Sequence, residues 1–484
     1  MNPEQGPANL RFGGGVSTTV LHPAVLVAII IAGILICVWP RKRTLSIFLA
    51  ASILIPMDQV LVIGPAHFPM LRLLVLFGCV RILYEKIVSK AQVLSGGTNK
   101  IDLAVILLSG LTAVNGVLLF PVSGAIVNQL GAIYTVVGIY CLLRFLIRDE
   151  QDVVCMIQTL ACVAVIIAAV MSYEITTGHN PYGLLGGARA SFYSALDARA
   201  TRFRAMGPFG HSILAGTFGA IVMPLFVGLW WKCKRSRILA MMGIIASAVI
   251  TLASNSSTPV MAYVAGLMAI CLWRARRWMR EIRWGIVLIL VSLHMVMKAP
   301  VWNLIARIDI TGGSSGWHRY MLIDQCIHHF WDWWLIGVKD TSAWGWDMWD
   351  TANQYVGICD NSGLLPFLSF LAILVYGFKY LGKGRRAAGQ NKKKALFMWA
   401  LGSALFANVV SFFGISYSDQ VMVVWYGSLA MISAVAAVRV KQLQRMPISM
   451  DAPWADLGSL SQSSQSDDEV VRERFPAPAQ EGIS

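Results

Sequence analysis

Residues 153–172 of this 484-residue chain read VVCMIQTLACVAVIIAAVMS, an apolar segment that contains no charged side chain. An α-helix of about 20 apolar residues is long enough to cross the roughly 30 Å hydrocarbon core of a membrane. Further apolar runs lie on both sides of this segment, at residues 22–40, 44–62, 68–84, 103–120, 125–146, 213–231, 238–254, 259–273, 284–300, 363–381, 395–413 and 420–438. The pattern predicts an all-α polytopic membrane protein with about 12–13 transmembrane helices.

The overall composition supports the same fold class. Hydrophobic residues make up 56% of the chain and charged residues 13%, with a mean hydropathy of +0.62. Soluble globular proteins carry roughly 25% charged residues and about 45–50% apolar ones. The composition therefore excludes soluble, fibrous, disulfide-framework and disordered proteins.

The distribution of basic residues predicts the orientation of the chain. Twenty-seven lysines and arginines lie in one alternating set of loops, whereas the opposite set and the N-terminus together hold nine. Because basic residues accumulate in cytoplasmic loops, the richer set is predicted to be cytoplasmic. Because membrane orientation explains the excess of basic residues, the net charge of +15 does not point to a nucleic-acid partner. The chain then divides into an external N-terminal segment (1–21), a polytopic membrane domain (22–446) and a disordered cytoplasmic tail (447–484).

Two predicted external loops, 173–212 and 301–362, are longer than simple connections, which is typical of functional segments. The second loop holds eight of the seventeen tryptophans and seven aspartates. These residues fit an aromatic belt at the membrane interface. They equally fit a carbohydrate site, in which indole rings stack on sugars and carboxylates accept hydroxyl hydrogen bonds. Residues 316–330 of this loop predict an amphipathic helix that lies on the membrane surface.

Arg199, Arg202 and Arg204 crowd the start of a membrane-spanning run, on the side where basic residues are scarce. One interpretation makes them anchors for lipid headgroups. The other makes them ligands of an anion, because the planar guanidinium fork matches phosphate and pyrophosphate oxygens. The second interpretation predicts a lipid-pyrophosphate substrate at the external face.

Several familiar motifs are absent from the sequence. The chain has no HExxH, CxxC, Walker or Asp-x-Asp motif, which argues against a metalloprotease, an ATP-driven pump and a cytoplasmic nucleotide-sugar transferase. No metal and no cofactor are predicted. Cys326 and Cys359 are the two cysteines of the external loops, and the sequence alone leaves open whether they are bridged or are free buried thiols.

Three sequence features together resemble the O-antigen polymerase and ligase superfamily. They are Arg204-Ala-Met-Gly-Pro-Phe-Gly-His211 before a small-residue span, Ser254-Asn-Ser-Ser-Thr258 between two spans, and Arg319 near the start of a long loop. The resemblance covers roughly residues 20–440. It implies a bacterial inner-membrane enzyme that uses undecaprenyl-pyrophosphate-linked oligosaccharides at the periplasmic face, without metal or nucleotide. Membrane lipids and other polysaccharide-assembly proteins are the further partners expected.

The resemblance also assigns roles to residues. Arg204 and Arg319 match the two arginines that hold the donor pyrophosphate. The remaining candidates are not taken from the family's two arginines: Arg199, Arg202, His211 and His318 are candidates for substrate binding, and Asp350, Asp347 and Asn353 are candidates for catalysis, the two aspartates if a base is needed. Asp350 is the first choice for a catalytic base and Asp347 the second.

The choice between polymerase and ligase depends on one spacing. Asn353 and Gly363 fit a ligase loop motif, but Ala352 stands where that motif has histidine, and Pro366 departs from it as well. This departure favours a polymerase. A multi-pass transporter or flippase for a lipid-linked or anionic substrate is the alternative, although the apolar runs contain almost no acidic residues. A non-catalytic scaffold or sensor is the third hypothesis, and the sequence contains no recognisable output module that would support it.

Overall fold

The computed structural model describes residues 19–56, 59–64, 66–90, 94, 96–186, 196–197, 202–307, 316–349 and 351–445. Within this part, the protein is all-α and polytopic, as predicted. The predicted tail 447–484 and all but the end of the predicted segment 1–21 lie outside the described residues.

The described helices follow one another along the chain with few strands between them. The α-helices are α1 (Pro23–Val38), α2 (Arg41–Leu54), α3 (Met70–Ser89), α4 (Lys100–Leu119), α5 (Ser123–Leu146), α6 (Glu150–Thr177), α7 (Ser212–Lys232), α8 (Arg237–Ala253), α9 (Ser257–Cys271), α10 (Met279–Val296), α11 (Gly316–His328), α12 (Phe330–Trp333), α13 (Gln354–Ser362), α14 (Leu364–Ala387), α15 (Lys392–Ser411) and α16 (Asp419–Arg445). The 3₁₀-helices are Pro181–Leu185, Lys234–Ser236, Arg276–Trp278, Val301–Arg307 and Ser342–Trp344. Two antiparallel pairs complete the fold, β1 (Val60–Ile63) with β2 (Ala66–Pro69) and β3 (Leu196–Asp197) with β4 (Arg202–Phe203).

Among the described residues, seven helices are long and apolar enough to cross a membrane by length and composition: α4, α5, α6, α7, α8 with the turn before it, α14 and α15. An eighth span results if α9 and the helical residues up to the end of α10, which are bent by 105° relative to each other, count as one. The other predicted runs contain shorter or more polar helices, and one of them, 44–62, is helical only in its first half. The polytopic prediction is therefore confirmed.

The run predicted at 44–62 is wrong in its second half. Helix α2 ends at Leu54, and Ile55 adopts an extended conformation with φ −77° and ψ 127°. The reason is local: Ile55 precedes Pro56, and the proline ring disfavours a helical conformation in the residue before it. The chain then turns at Gly64, whose φ is +58°, and pairs β1 with β2.

Helix α7 is the most enclosed of the candidate spans and packs against α6, α8, α9 and α15. Close approach to α8 depends on Gly219. A Cβ atom at this position would lie 2.7 Å from the carbonyl oxygen of Ser247, so any larger residue would force the two helices apart. This contact fixes the start of α7 beside the end of α8.

Helix ends that the charge pattern assigns to the external side meet at one end of the membrane domain. The amide of Ala205, shortly before α7, donates to the carbonyl of Ala253 at the end of α8 (3.2 Å). The side chain of Asn353, at the start of α13, donates to the carbonyl of Phe413 after α15 (3.3 Å). These contacts agree with the predicted alternation of the spans, and the sidedness itself stays a prediction.

Cysteine labelling tests this orientation. Ala343 and Gln390 are both exposed, in loops assigned to opposite sides. In a cysteine-free background, Ala343→Cys is expected to react with a membrane-impermeant maleimide in intact cells, whereas Gln390→Cys reacts only after the membrane is opened. Labelling of Gln390→Cys in intact cells would contradict the orientation.

Candidate functional site

The segment that carries Arg204 is held in place by a buried carboxylate. Glu174, near the end of α6, is fully buried and accepts hydrogen bonds from the amides of Met206 (3.1 Å) and Gly207 (2.9 Å). Gly207 has a φ of +55°, a conformation that glycine adopts without strain. Bonds to a charged acceptor are about twice as strong as neutral ones. Glu174 therefore fixes the backbone that follows Arg204.

Two further helices hold the same segment. The bond from the Ala205 amide to Ala253 joins it to the end of α8. Gln420 in α16 is buried and donates its side-chain amide to the carbonyl of Pro208 (2.7 Å). These bonds fix the backbone that follows Arg204.

The short connection between α8 and α9 consists of residues 254–256 and leads into the buried start of α9. Asn255 has a left-handed φ of +44°, and its Nδ2 is buried without a hydrogen-bond partner in the described part of the chain. Ser257 and Thr258 are buried at the start of α9, and the Thr258 hydroxyl donates to the carbonyl of Gly414 (3.4 Å). This short connection therefore presents polar groups inside the protein.

Arg319 in α11 approaches this connection from the other side. Its Nη1 donates to the Ser257 hydroxyl (3.4 Å), the side chain is 5% exposed, and its Nε is buried without a partner among the described residues. Burial lowers the pKa of the Arg319 guanidinium from its ordinary value. No described carboxylate forms an ion pair with it. A buried charge without a partner is costly, so the Arg319 guanidinium is a candidate for binding an anion.

A cavity of about 180 Å³ lies at this point of the structure. Its walls are formed by Ser257, Met261, Ile305, Arg319, Val410 and Phe413. Most of these side chains are apolar, and the guanidinium of Arg319 is the charged group among them. Apolar walls strengthen the attraction between Arg319 and an anion because they exclude water.

Three buried nitrogen atoms lack a partner among the described residues. One lies in the α8–α9 connection, and the other two lie in segments that are hydrogen-bonded to the end of α8 and the start of α9. Nε of Arg204, Nε of Arg319 and Nδ2 of Asn255 are buried and have no acceptor within the described ranges. All three are donors, and the first two belong to cations. A ligand with several anionic oxygens satisfies such a set, as a pyrophosphate does. The described residues contain no group of three or more acidic, histidine or cysteine side chains that could hold a metal ion.

The structure places the other predicted residues differently. Asn353 is fully buried and caps α13, where its Oδ1 accepts from the amides at the start of the helix and its Nδ2 is bonded to the Phe413 carbonyl. Asp347 is half-buried in a turn with φ +60°. Asp350 and Arg199 lie outside the described residues, and of Arg202 only the backbone is described, in β4. Of these, Asn353 has a clear structural role.

The two predicted histidines flank the arginines in sequence. His211 is exposed and caps α7, because its Nδ1 accepts from the amide of Ile213 (3.1 Å). His318 is half-buried beside Arg319 in α11. The structure thus bonds the backbone after Arg204 to the end of α8 and the side chain of Arg319 to the start of α9, and it gives His211 a capping role.

Three residues of the site were not predicted as functional. Ser257 and Asn255 lie within the Ser254–Thr258 motif, to which the sequence attached no role. Glu174 is a solitary carboxylate at the end of a long uncharged run, and an acid in that position is a recognisable signal. Its contact with the segment after Arg204 joins positions about 30 residues apart, which sequence alone does not reveal.

The amphipathic helix predicted at 316–330 is confirmed as α11, with Leu322 and Cys326 on its buried face. The tryptophans of the same loop separate into two groups. Trp333 is buried, whereas Trp346 is 90% exposed. The exposed rings suit either a membrane interface or a carbohydrate surface, as the sequence predicts. In comparisons with known proteins, no family model matches the chain, and no curated protein matches it significantly.

Proposed function

We propose that the protein transfers a glycan from an undecaprenyl-pyrophosphate-linked donor to an acceptor sugar, at the periplasmic face of a bacterial inner membrane. The observation that carries this proposal is the buried guanidinium of Arg319, which lines an apolar cavity and has no carboxylate partner among the described residues. Arg204 and Asn255 add two further unpaired donors. A pyrophosphate attached to a prenyl chain combines the charge and the apolar surface that these groups favour.

In the proposed reaction, a hydroxyl group of the acceptor attacks the anomeric carbon of the donor glycan with inversion. The bond between that carbon and the pyrophosphate oxygen breaks, and undecaprenyl pyrophosphate leaves with the electron pair. Arg319 and Arg204 stabilise the negative charge on the leaving group. One preorganised donor of this kind is worth about 10²–10³-fold in rate. Asp350 or Asp347 takes the hydroxyl proton if a base is required.

The product class that we favour depends on the loop around Asn353. Ala352 and Pro366 depart from the ligase loop pattern, and Asn353 is engaged in helix capping. Both points favour a polymerase of surface polysaccharide, such as O-antigen or exopolysaccharide, over a ligase. The partners of such an enzyme are membrane lipids, the lipid-linked oligosaccharide and other proteins of polysaccharide assembly.

A transporter or flippase is the alternative, and one observation favours it. Helices α9 and α10 are bent by 105° at a short break, and broken helices are frequent in transporters, where they line the substrate path. The two functions differ in whether a covalent product is formed.

Reconstitution separates the two functions. The purified protein in proteoliposomes is supplied with undecaprenyl-pyrophosphate-linked oligosaccharide labelled in the sugar. Glycosyl transfer yields longer glycans together with free undecaprenyl pyrophosphate, in equal molar amounts for each bond formed. Movement of the intact donor between leaflets, without longer glycans, would contradict the proposal and support a flippase.

A further inference from the structure

We propose that Cys326 and Cys359 form a disulfide bond that fastens α11 to α13 in the predicted external loop. The thiols belong to different helices, and they are hydrogen-bonded to each other. Both residues are free and buried in the structure. The inference concerns the stability of the loop and is independent of the proposed glycosyl transfer.

The surroundings of the two thiols favour such a bond. Cys326 and Cys359 share a small hydrophobic cluster, separate from the main core, with Leu322, Trp333, Met348 and Val356. A core of this size contributes little stability, and small units in oxidising compartments are commonly fastened by disulfides. The indole of Trp333 donates to the carbonyl of Cys326 (2.7 Å), which fixes the backbone on one side of the pair. The two cysteines therefore lie in one buried cluster, with the backbone of Cys326 fixed by Trp333.

The location of the pair matters for the site. Arg319 precedes Cys326 by two turns of α11, and Asn353 caps the helix that carries Cys359. A bond between the two cysteines would hold α11, and with it Arg319, against α13. It would also close a loop of about 33 residues in the unfolded chain, which restricts the unfolded state.

Formation of the bond requires an oxidant, and we assign this role to a thiol-oxidising protein that carries a reactive disulfide. One cysteine, as the thiolate, attacks that disulfide and forms a mixed disulfide. The second thiolate then displaces the oxidant's sulfur, so the pair loses two electrons and two protons and the oxidant becomes a dithiol. Burial and the mutual hydrogen bond raise the pKa of the Cys359 thiol and thus disfavour the reactive thiolate. Oxidation is therefore expected before the loop finishes folding.

Thiol trapping tests the bond directly. Cells that express the full chain are quenched in acid, and the denatured protein is blocked with N-ethylmaleimide, reduced, and labelled with a polyethylene glycol maleimide. Two labels per chain are expected, and a mass-spectrometric cross-link should join the peptides of Cys326 and Cys359. No label after reduction would show that both thiols were free and would overturn the proposal.

Heat stability provides a second test, because one bond is lost whichever cysteine is changed. Cys326→Ser, Cys359→Ser and the double variant are each expected to lower the unfolding temperature by the same amount, about 4 °C. A reductant should lower the unfolding temperature of the wild-type protein by the same amount and leave that of the variants unchanged. Cys162→Ser, at an exposed position in α6, is the matched control. Additive losses in the double variant would indicate two independent packing contributions and would overturn the bond.

Discussion

Glycan extension is expected to fall at least 100-fold when Arg319 is replaced by alanine, while the protein remains inserted and abundant. The reason is that Arg319 is a buried cation whose partner, in the proposed function, is the pyrophosphate of the donor. Loss of one preorganised donor costs about 10²–10³-fold in rate. Arg319→Lys should recover little activity, because lysine keeps the charge and loses the bidentate fork. Glycan chain length in a deletion strain complemented with each variant measures the effect.

The stability of a second variant separates binding from a structural role. Arg319→Met fills the same space without a charge, and it removes a buried cation that lacks a carboxylate partner in the described structure. We expect the unfolding temperature of this variant to equal or exceed that of the wild-type protein, although its activity is lost. A residue that mainly supported the fold would show the opposite, a large loss of stability.

The matched control for surface charge is Lys339→Ala, because Lys339 lies in the same loop and is exposed. This variant should keep near-normal glycan length. Arg204→Ala is expected to resemble Arg319→Ala, since in the proposed reaction both guanidinium groups stabilise the leaving pyrophosphate. Full-length glycan from the Arg204→Ala, Arg319→Ala double variant would contradict the proposal that these arginines bind the donor pyrophosphate.

The sequence predicts the helices well because each apolar run is a local property. The run at 153–172 lies within α6, and 213–231 lies within α7, each with ends displaced by a few residues. Prediction fails at 44–62, where the predicted run crosses Pro56 and the polar pair Asp58-Gln59 before the apolar residues of β1. Hydropathy does not distinguish a strand from a helix there, and the proline is the local signal that does.

The candidate site is less predictable because its contacts are distant in sequence. Arg319 and Ser257 are 62 residues apart and share a hydrogen bond. The sequence does identify Arg319 and Arg204, because basic residues are scarce in the predicted external loops. Membrane orientation therefore does not explain a cation at these positions. No comparable signal marks Ser257 or Asn255, whose polar side chains become informative only when their burial is known.

A second large effect is expected far from this site, at Asp102. Its carboxylate accepts from Nε (2.9 Å) and Nη2 (3.2 Å) of Arg144, and the Tyr140 hydroxyl also donates to it. Asp102 and Arg144 are at most 1% exposed. Removing one partner of a buried pair leaves an uncompensated charge and costs about 3–5 kcal/mol. Asp102→Ala is therefore expected to lower the free energy of unfolding by about this amount, measured by denaturation in mixed micelles.

The double variant Asp102→Ala, Arg144→Met distinguishes a penalty for a stranded charge from a loss of packing. If the stranded guanidinium dominates the cost, removing it as well restores most of the stability, and the two substitutions are strongly non-additive. Asp332→Ala is the control, because Asp332 and its partner His329 form an exposed pair, and such pairs are worth about 0–1 kcal/mol. A loss for Asp102→Ala no larger than that of the control would show that the buried pair does not hold α4 to α5. Arg144 and Arg319 both test the principle that a buried charge needs a partner of opposite charge. Arg144 has its anion within the protein, whereas Arg319 is expected to receive an anion from the substrate.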